Sequence, residues 1–308
     1  MTYRFDPELV PWIAMMPTLD ISDLAAARAE MAAATSSAPP RALSVPLTVH
    51  DRTAPGPEGS PDVRVRVYTP ASRADTLPGL LYVHGGGFVL GSIDYDGRAQ
   101  ELAAAAEAVV VSVGYRLAPE SPFPAGLHDC LAALTYLAKN AAELGVDPQH
   151  IGIAGISAGA GLAAGTVLMA RDQGGPELCM QYLGMPELDD RLDTPSMQAY
   201  TDTPVWNRPN AILSWQYYLG GQEATPYAAP ARATDLAGLP PAYVDVCEFD
   251  PLRDEGLGYA QRLIQAGVHT ELHLYPGTFH GSSMIAAAAV SRRMTSDANE
   301  AVRRLLRA

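Results

Sequence analysis

Residues 151–159, Ile-Gly-Ile-Ala-Gly-Ile-Ser-Ala-Gly, leave the chain few folds to choose from. A short apolar run, Ile151 to Ala154, enters the segment, and a small-residue helical stretch, Ala158 to Arg171, leaves it. Strand, Gly-x-Ser-x-Gly, helix is the sequence form of a nucleophile elbow. Such a serine sits on a tight, strained turn, and the residues two before and two after it must be small because two backbones nearly touch there. Gly155 and Gly159 meet that need. An ordinary glycine-rich turn has the same five-residue pattern, so the rest of the chain has to decide.

From Leu80 onward, apolar runs of about five residues alternate with helical stretches. The runs are 80–83, 109–113, 151–154, 180–183, 242–246 and 270–274. The helical stretches are 97–106, 126–144, 158–173 and 252–266, with 284–306 closing the chain. Alternation of this kind gives an α/β fold with a parallel sheet covered on both faces. Ahead of it, 43–51 and 63–69 read as strands of an antiparallel edge. Residues 20–34 read as an Ala-rich helix, ended by a breaker at 35–40. Residues 186–238 interrupt the alternation and are too long for a simple loop. We expect them to form a cap with the N-terminal segment. The expected organisation is a cap segment at 1–45 and a catalytic domain at 46–308, with the cap insertion at about 186–238.

Parallel sheets hold ligands beyond the C-terminal ends of their strands. Ser157 is at one such end. His84-Gly85-Gly86-Gly87-Phe88 follows another, and three glycines let backbone N–H groups turn toward a ligand. Acyl transfer needs such donors for the oxyanion. Ala158, opening the helix after the serine, supplies a further free N–H. Of seven histidines, His280 follows the last strand at the catalytic end. His84 belongs to the glycine run and is expected to shape it. Asp250, after the strand 242–246 and before Pro251, is placed to orient the histidine, with Glu248 as runner-up. The order Ser157, Asp250, His280 is that of α/β-hydrolases.

Composition excludes other classes. A formal net charge of −13 over 308 residues argues against nucleic acid and anionic membranes as partners. Three cysteines, Cys130, Cys179 and Cys247, have no metal-binding spacing and suit a reducing compartment. No run approaches the roughly 18 apolar residues of a membrane span, and the N-terminus does not read as a signal peptide. A cytoplasmic protein is expected.

With these residues assembled, the sequence resembles the bacterial hormone-sensitive-lipase-like esterases, family IV of the α/β-hydrolases. The resemblance rests on His84 to Phe88, Tyr115 to Glu120, Phe123 to Ala125, Gly155 to Gly159, Asp250 to Glu255 and His280-Gly281, in order across about residues 45–300. It implies an eight-stranded, mostly parallel sheet flanked by helices under a helical cap. It implies a serine carboxylesterase acting on short-chain esters as small-molecule substrates, with no cofactor and no metal. It assigns the oxyanion donors to Gly86 and Gly87, with Gly85 beside them, and Ala158. Dimers are common among such proteins, so a homodimer is an expectation by the same resemblance. Candidate pocket walls are Trp12, Met15, Met16, Phe88, Trp206 and Tyr218. The resemblance also marks two departures. Ile156 precedes the serine where an acid or threonine is usual, and Ala160 replaces a glycine. The triad does not separate esters from lactones, carbamates or amides. Relatives that act as receptors without turnover lose the histidine, whereas this chain keeps His280.

Overall fold

Eight strands form one sheet: β1 (Leu47–Ala54), β2 (Val63–Pro70), β3 (Leu77–Val83), β4 (Val109–Gly114), β5 (Val146–Ile156), β6 (Met180–Gly184), β7 (Ala242–Phe249) and β8 (Thr270–Phe279). Their order across the sheet is β1-β2-β4-β3-β5-β6-β7-β8. The computed structural model of the protein describes residues 3–16, 19–37, 43–71 and 76–308. β1 and β2 make the expected antiparallel edge, and every pairing from β4 to β8 is parallel.

The central strands are mostly apolar, with Ser112, Gln181 and Asp245 as buried polar exceptions, because helices cover both faces. On one face lie helices Ala125–Lys139, Ala158–Gln173 and Arg253–Gln265, packed through Leu134, Leu162, Val167 and Leu263 against Leu81, Val111 and Ile153. On the other lie Gly97–Ala106 and Ala289–Leu305, packed through Leu102 and Val302 against Leu80, Val110 and Tyr182. β2 alternates as its sequence does, with Val63, Val65 and Val67 buried.

The helix after the serine is buried from Ala158 to Ala170. Its glycines are packing requirements. A Cβ on Gly161 would lie 2.2 Å from the Glu187 carbonyl oxygen, and one on Gly165 would lie 2.3 Å from that of Tyr227.

Several boundaries differ from the sequence reading. The stretch 126–144 breaks at Asn140, whose side-chain amide donates to the Tyr136 carbonyl (2.8 Å) and competes with the helix ladder. The closing helix begins at Ala289, not near 284, because Ser282–Met284 makes a separate 3-10 turn held by the Ser291 hydroxyl on the Ser282 carbonyl (2.7 Å). The early helix is Leu24–Ser37 and runs through the first half of the expected breaker; residues 38–40 lie outside the described residues.

Above the strand ends, the N-terminal segment and the insertion pack on each other. Ile21, Ala27, Met197, Trp206 and Ala211 share an apolar cluster with Val89, Leu90 and Leu252. Asn210, on the helix Arg208–Leu219, donates to the Leu19 carbonyl (2.7 Å) and accepts from Ile21 N–H (3.4 Å). Arg28 forks onto Glu120 (2.7 and 2.9 Å) and donates to the Val89 and Ala118 carbonyls.

Candidate active site

Ser157 has φ 59° and ψ −126°, a conformation that L-residues rarely adopt. The surroundings hold it there. Its N–H continues the ladder onto the Gly184 carbonyl (2.8 Å), and its carbonyl accepts from the N–H groups of Ala160, Gly161 and Glu187. The two motif glycines are sterically required. A Cβ on Gly155 would lie 2.2 Å from the Gly159 oxygen, and one on Gly159 would lie 2.3 Å from the Val83 oxygen.

His280 follows β8 directly. Its Nε2 lies 3.0 Å from the Ser157 hydroxyl oxygen, and its Nδ1 lies 2.7 Å from Asp250 Oδ2. The second carboxylate oxygen of Asp250 accepts the Leu252 N–H (2.9 Å), which fixes the carboxylate plane. All three side chains are buried. Nδ1 donates to the carboxylate, so Nε2 is left to accept the serine proton. Glu248, the runner-up acid, accepts instead from the Gly277 N–H (2.6 Å) and braces the segment leading to His280.

The glycine run arches beside the elbow. Gly86 and Gly87 have φ of 124° and 57°, which glycine alone adopts freely. The Gly86 carbonyl is engaged by Val89 and Leu90 N–H, and the Gly87 carbonyl by the Ser214 hydroxyl (3.2 Å). Gly85 packs on the nucleophile: a Cβ there would lie 2.8 Å from the Ile156 oxygen and 3.3 Å from Ser157 Cβ. Ala158 opens the helix, where an N–H lacks an intrahelical acceptor. His84 shapes the run, as the sequence suggested. Its Nδ1–H donates to the Gly85 carbonyl (2.9 Å), its ring stacks on Tyr115, and burial lowers its pKa to about 4, so it is neutral. Tyr115 in turn donates to the His84 carbonyl (2.9 Å), and Arg116 forks onto buried Asp129.

The candidate pocket walls divide. The Trp206 indole lies against Gly87 and 6.1 Å from the His280 ring, within the site. Phe88 and Tyr218 stack on each other (4.0 Å) inside the core below the glycine run, because both belong to its apolar underside. Met16 packs with Leu9 and Phe279, while Trp12 and Met15 are exposed. Ile156 is half-buried against Met185, Cys247 and Tyr275. Its side chain sits on the sheet face away from the helix that follows the serine.

Sequence reasoning passed over Glu187. It is fully buried three residues beyond the end of β6, and one oxygen accepts from the Ser214 hydroxyl (2.9 Å). Burial, with nearby Asp250 adding to it, raises its pKa to about 8. An acid inside an apolar, proline-bearing segment was its only signal. Among the described residues, no cluster of side chains has the makings of a metal site, and no helix is long and apolar enough to cross a membrane. All three cysteines are free thiols.

Known proteins share this fold. Residues 80–284 match the family described as the alpha/beta hydrolase fold. The chain is similar to a carboxylesterase, NlhH, of Mycobacterium tuberculosis, at 42% identity over 89% of each chain. It is also similar to the esterase LipI of the same organism, at 40% identity over 76% of this chain and 75% of the other. Among solved structures, a bacterial heroin esterase superposes with a TM-score of 0.96 at 49% identity, covering 99% of each chain. With the fold, the elbow and these relatives in agreement, the chain belongs to the α/β-hydrolase family, in its hormone-sensitive-lipase-like branch of esterases.

Proposed function

We propose that the protein is a serine carboxylesterase acting on short-chain carboxylic esters, with Ser157 as nucleophile, His280 as base and Asp250 as its orienter. The observation that carries this reading is the hydrogen-bonded series from Ser157 through His280 to Asp250, at 3.0 and 2.7 Å. His280 takes the serine proton as Oγ attacks the acyl carbon, and Asp250 stabilises the imidazolium. The tetrahedral oxyanion is held by N–H groups of Gly86, Gly87 and Ala158, with Gly85 setting the spacing to the nucleophile. His280 then protonates the leaving alcohol. Water, deprotonated by the same histidine, resolves the acyl-enzyme and frees Ser157.

The N-terminal segment, 1–45, and the insertion at about 186–238 act as a cap on the catalytic domain, 46–308. Trp206 descends from that cap to the reacting groups, and this supports a pocket for short acyl or small alcohol groups. Three free thiols suit a cytoplasmic site of action.

Hydrolysis of a p-nitrophenyl ester series from acetate to dodecanoate tests the reading, together with labelling by a fluorophosphonate. Turnover should peak at short chains. One phosphonyl adduct should form on Ser157 and be absent in Ser157→Ala. A wild-type protein no faster than Ser157→Ala on any ester would overturn the reading.

A further inference from the structure

Beside the elbow, and separate from Ser157 and His280, lies a cavity of about 800 Å³. That is a common size for a small-molecule site. Gly85 and Ile156, which flank the glycine run and Ser157 in sequence, line the cavity. Tyr182 and Asp245 line it as well. Ile156, Gly184 and Asp245 occupy one register row across β5, β6 and β7. Asp245 is therefore two strands, or about 10 Å, from the residue before the serine.

Most charges around the cavity are met. Arg28 is forked onto Glu120. Arg98 pairs with Glu101 (3.2 Å) and donates to Asn299 (2.7 Å). Asp94 faces Arg64 and Arg66, and Asp96 accepts from the Ser112 hydroxyl. Buried His84 is neutral.

Asp245 differs. It is 2% exposed, and the Tyr182 hydroxyl, Arg98 and His273 all act on it to favour its charge, yet its Oδ1 has no hydrogen-bond partner. Among the described residues lining the cavity, it is the one with a buried, unpartnered polar atom. Burial outweighs these neighbours and still disfavours the carboxylate, and a further charged donor reaching it offsets that penalty.

The remaining wall is soft and apolar. Met31, Met185, Met284 and Met294 line it, and methionine adapts to varied shapes. Tyr82 and Tyr182 add aromatic rings, and the Arg98 guanidinium, 6.0 Å from the Tyr182 centroid, shows that this wall accepts a cation. The protein's net charge of −13 favours cations at long range.

We propose that this cavity binds an amphiphilic ammonium, an apolar body ending in a protonated amine, with Asp245 as counter-ion and hydrogen-bond acceptor. This goes beyond ester hydrolysis, and binding does not require Ser157. The same chemistry has two sources, the amine-bearing alcohol half of an ester or a free amine acting as an effector.

The test is calorimetric titration of the full chain with hexylammonium chloride and with hexan-1-ol, which has the same number of heavy atoms but no charge. We expect saturable 1:1 binding of the ammonium, at least tenfold tighter than the alcohol. In Asp245→Asn the two should bind within twofold of each other. Equal binding of the two by wild-type protein, which needs no variant, overturns the proposal. So does a preference for the ammonium that survives in a folded Asp245→Asn. Inhibition of p-nitrophenyl acetate hydrolysis then separates the sources: competitive inhibition supports the alcohol half, and noncompetitive inhibition supports an effector. If no ester is turned over, the hydrolase reading fails while the titration still decides the cavity.

Discussion

Trp206 fills the space that a side chain at position 87 would need: a Cβ on Gly87 would lie 2.4 Å from Cη2 of the indole. The same indole stands 6.1 Å from the His280 ring, so the insertion, the glycine run and His280 meet at one glycine. Gly87→Ala must therefore displace either the tryptophan or the loop, at a φ of 57° that already disfavours alanine. We expect kcat on p-nitrophenyl acetate to fall by roughly 10²-fold or more, the scale of losing one oxyanion donor. Adding Trp206→Leu should recover part of that loss if the clash is the cause. A double variant no better than Gly87→Ala argues that the loop itself has moved.

Asp250→Asn keeps the shape at the site and changes the partner of His280 Nδ1. An amide nitrogen facing that position favours the wrong tautomer of the ring. We expect kcat to drop by about 10⁴-fold with KM nearly unchanged. Glu248→Gln, which alters only the brace on Gly277, should cost far less.

Glu187 makes stability depend on pH. Its folded pKa, about 8, lies above the ordinary carboxyl value of 4.5 that it has when unfolded. The folded state therefore holds a proton that the unfolded state has released, and this group's effect lowers stability as pH rises from about 4.5 to about 8. Glu187→Gln keeps the bond with Ser214 and removes the titration. We expect its Tm to be close to wild type at pH 5 and clearly higher at pH 8, measured by differential scanning fluorimetry. A constant difference across that range would show that Glu187 does not titrate there.

Arg28 is the clasp between the helix Leu24–Ser37 and the turn after β4. Its pair with Glu120 is partly exposed and worth little alone, but two backbone carbonyls also depend on it. We expect Arg28→Ala to leave the global Tm within a few degrees. Hydrogen exchange should accelerate in residues 19–37, and KM for aryl esters should rise several-fold. Unchanged exchange there would mean that the apolar cluster around Ile21 and Ala27 holds the segment unaided.

The proposed reacting groups were legible because parallel sheets put chemistry at strand ends. Ser157, Asp250, His280 and the run 84–88 each come directly after a strand, within a few residues of an apolar run in the sequence, and the structure brings the three side chains together. What decides the pocket was less legible. Trp206, Phe88 and Tyr218 are alike in sequence, all aromatics near turns, but only the cap's three-dimensional path puts the indole over His280 and the other two beneath the loop. Asp245 and Glu187 were hidden for a related reason. Each is an acid in an apolar segment, and its environment is built by residues from other strands and helices. The break at Asn140 and the turn at 282–284 depend on single side-chain bonds that periodicity does not register.

The first residues of the chain grip its last loop. Asp6 N–H donates to the Gly277 carbonyl (2.8 Å), and Glu8 accepts from the Ala289 N–H (2.7 Å), bracketing His280 on both sides. His280 is thus held in place from a segment remote in sequence, so its aim at Ser157 depends on how residues 3–16 dock against the end of β8 and the loop after it.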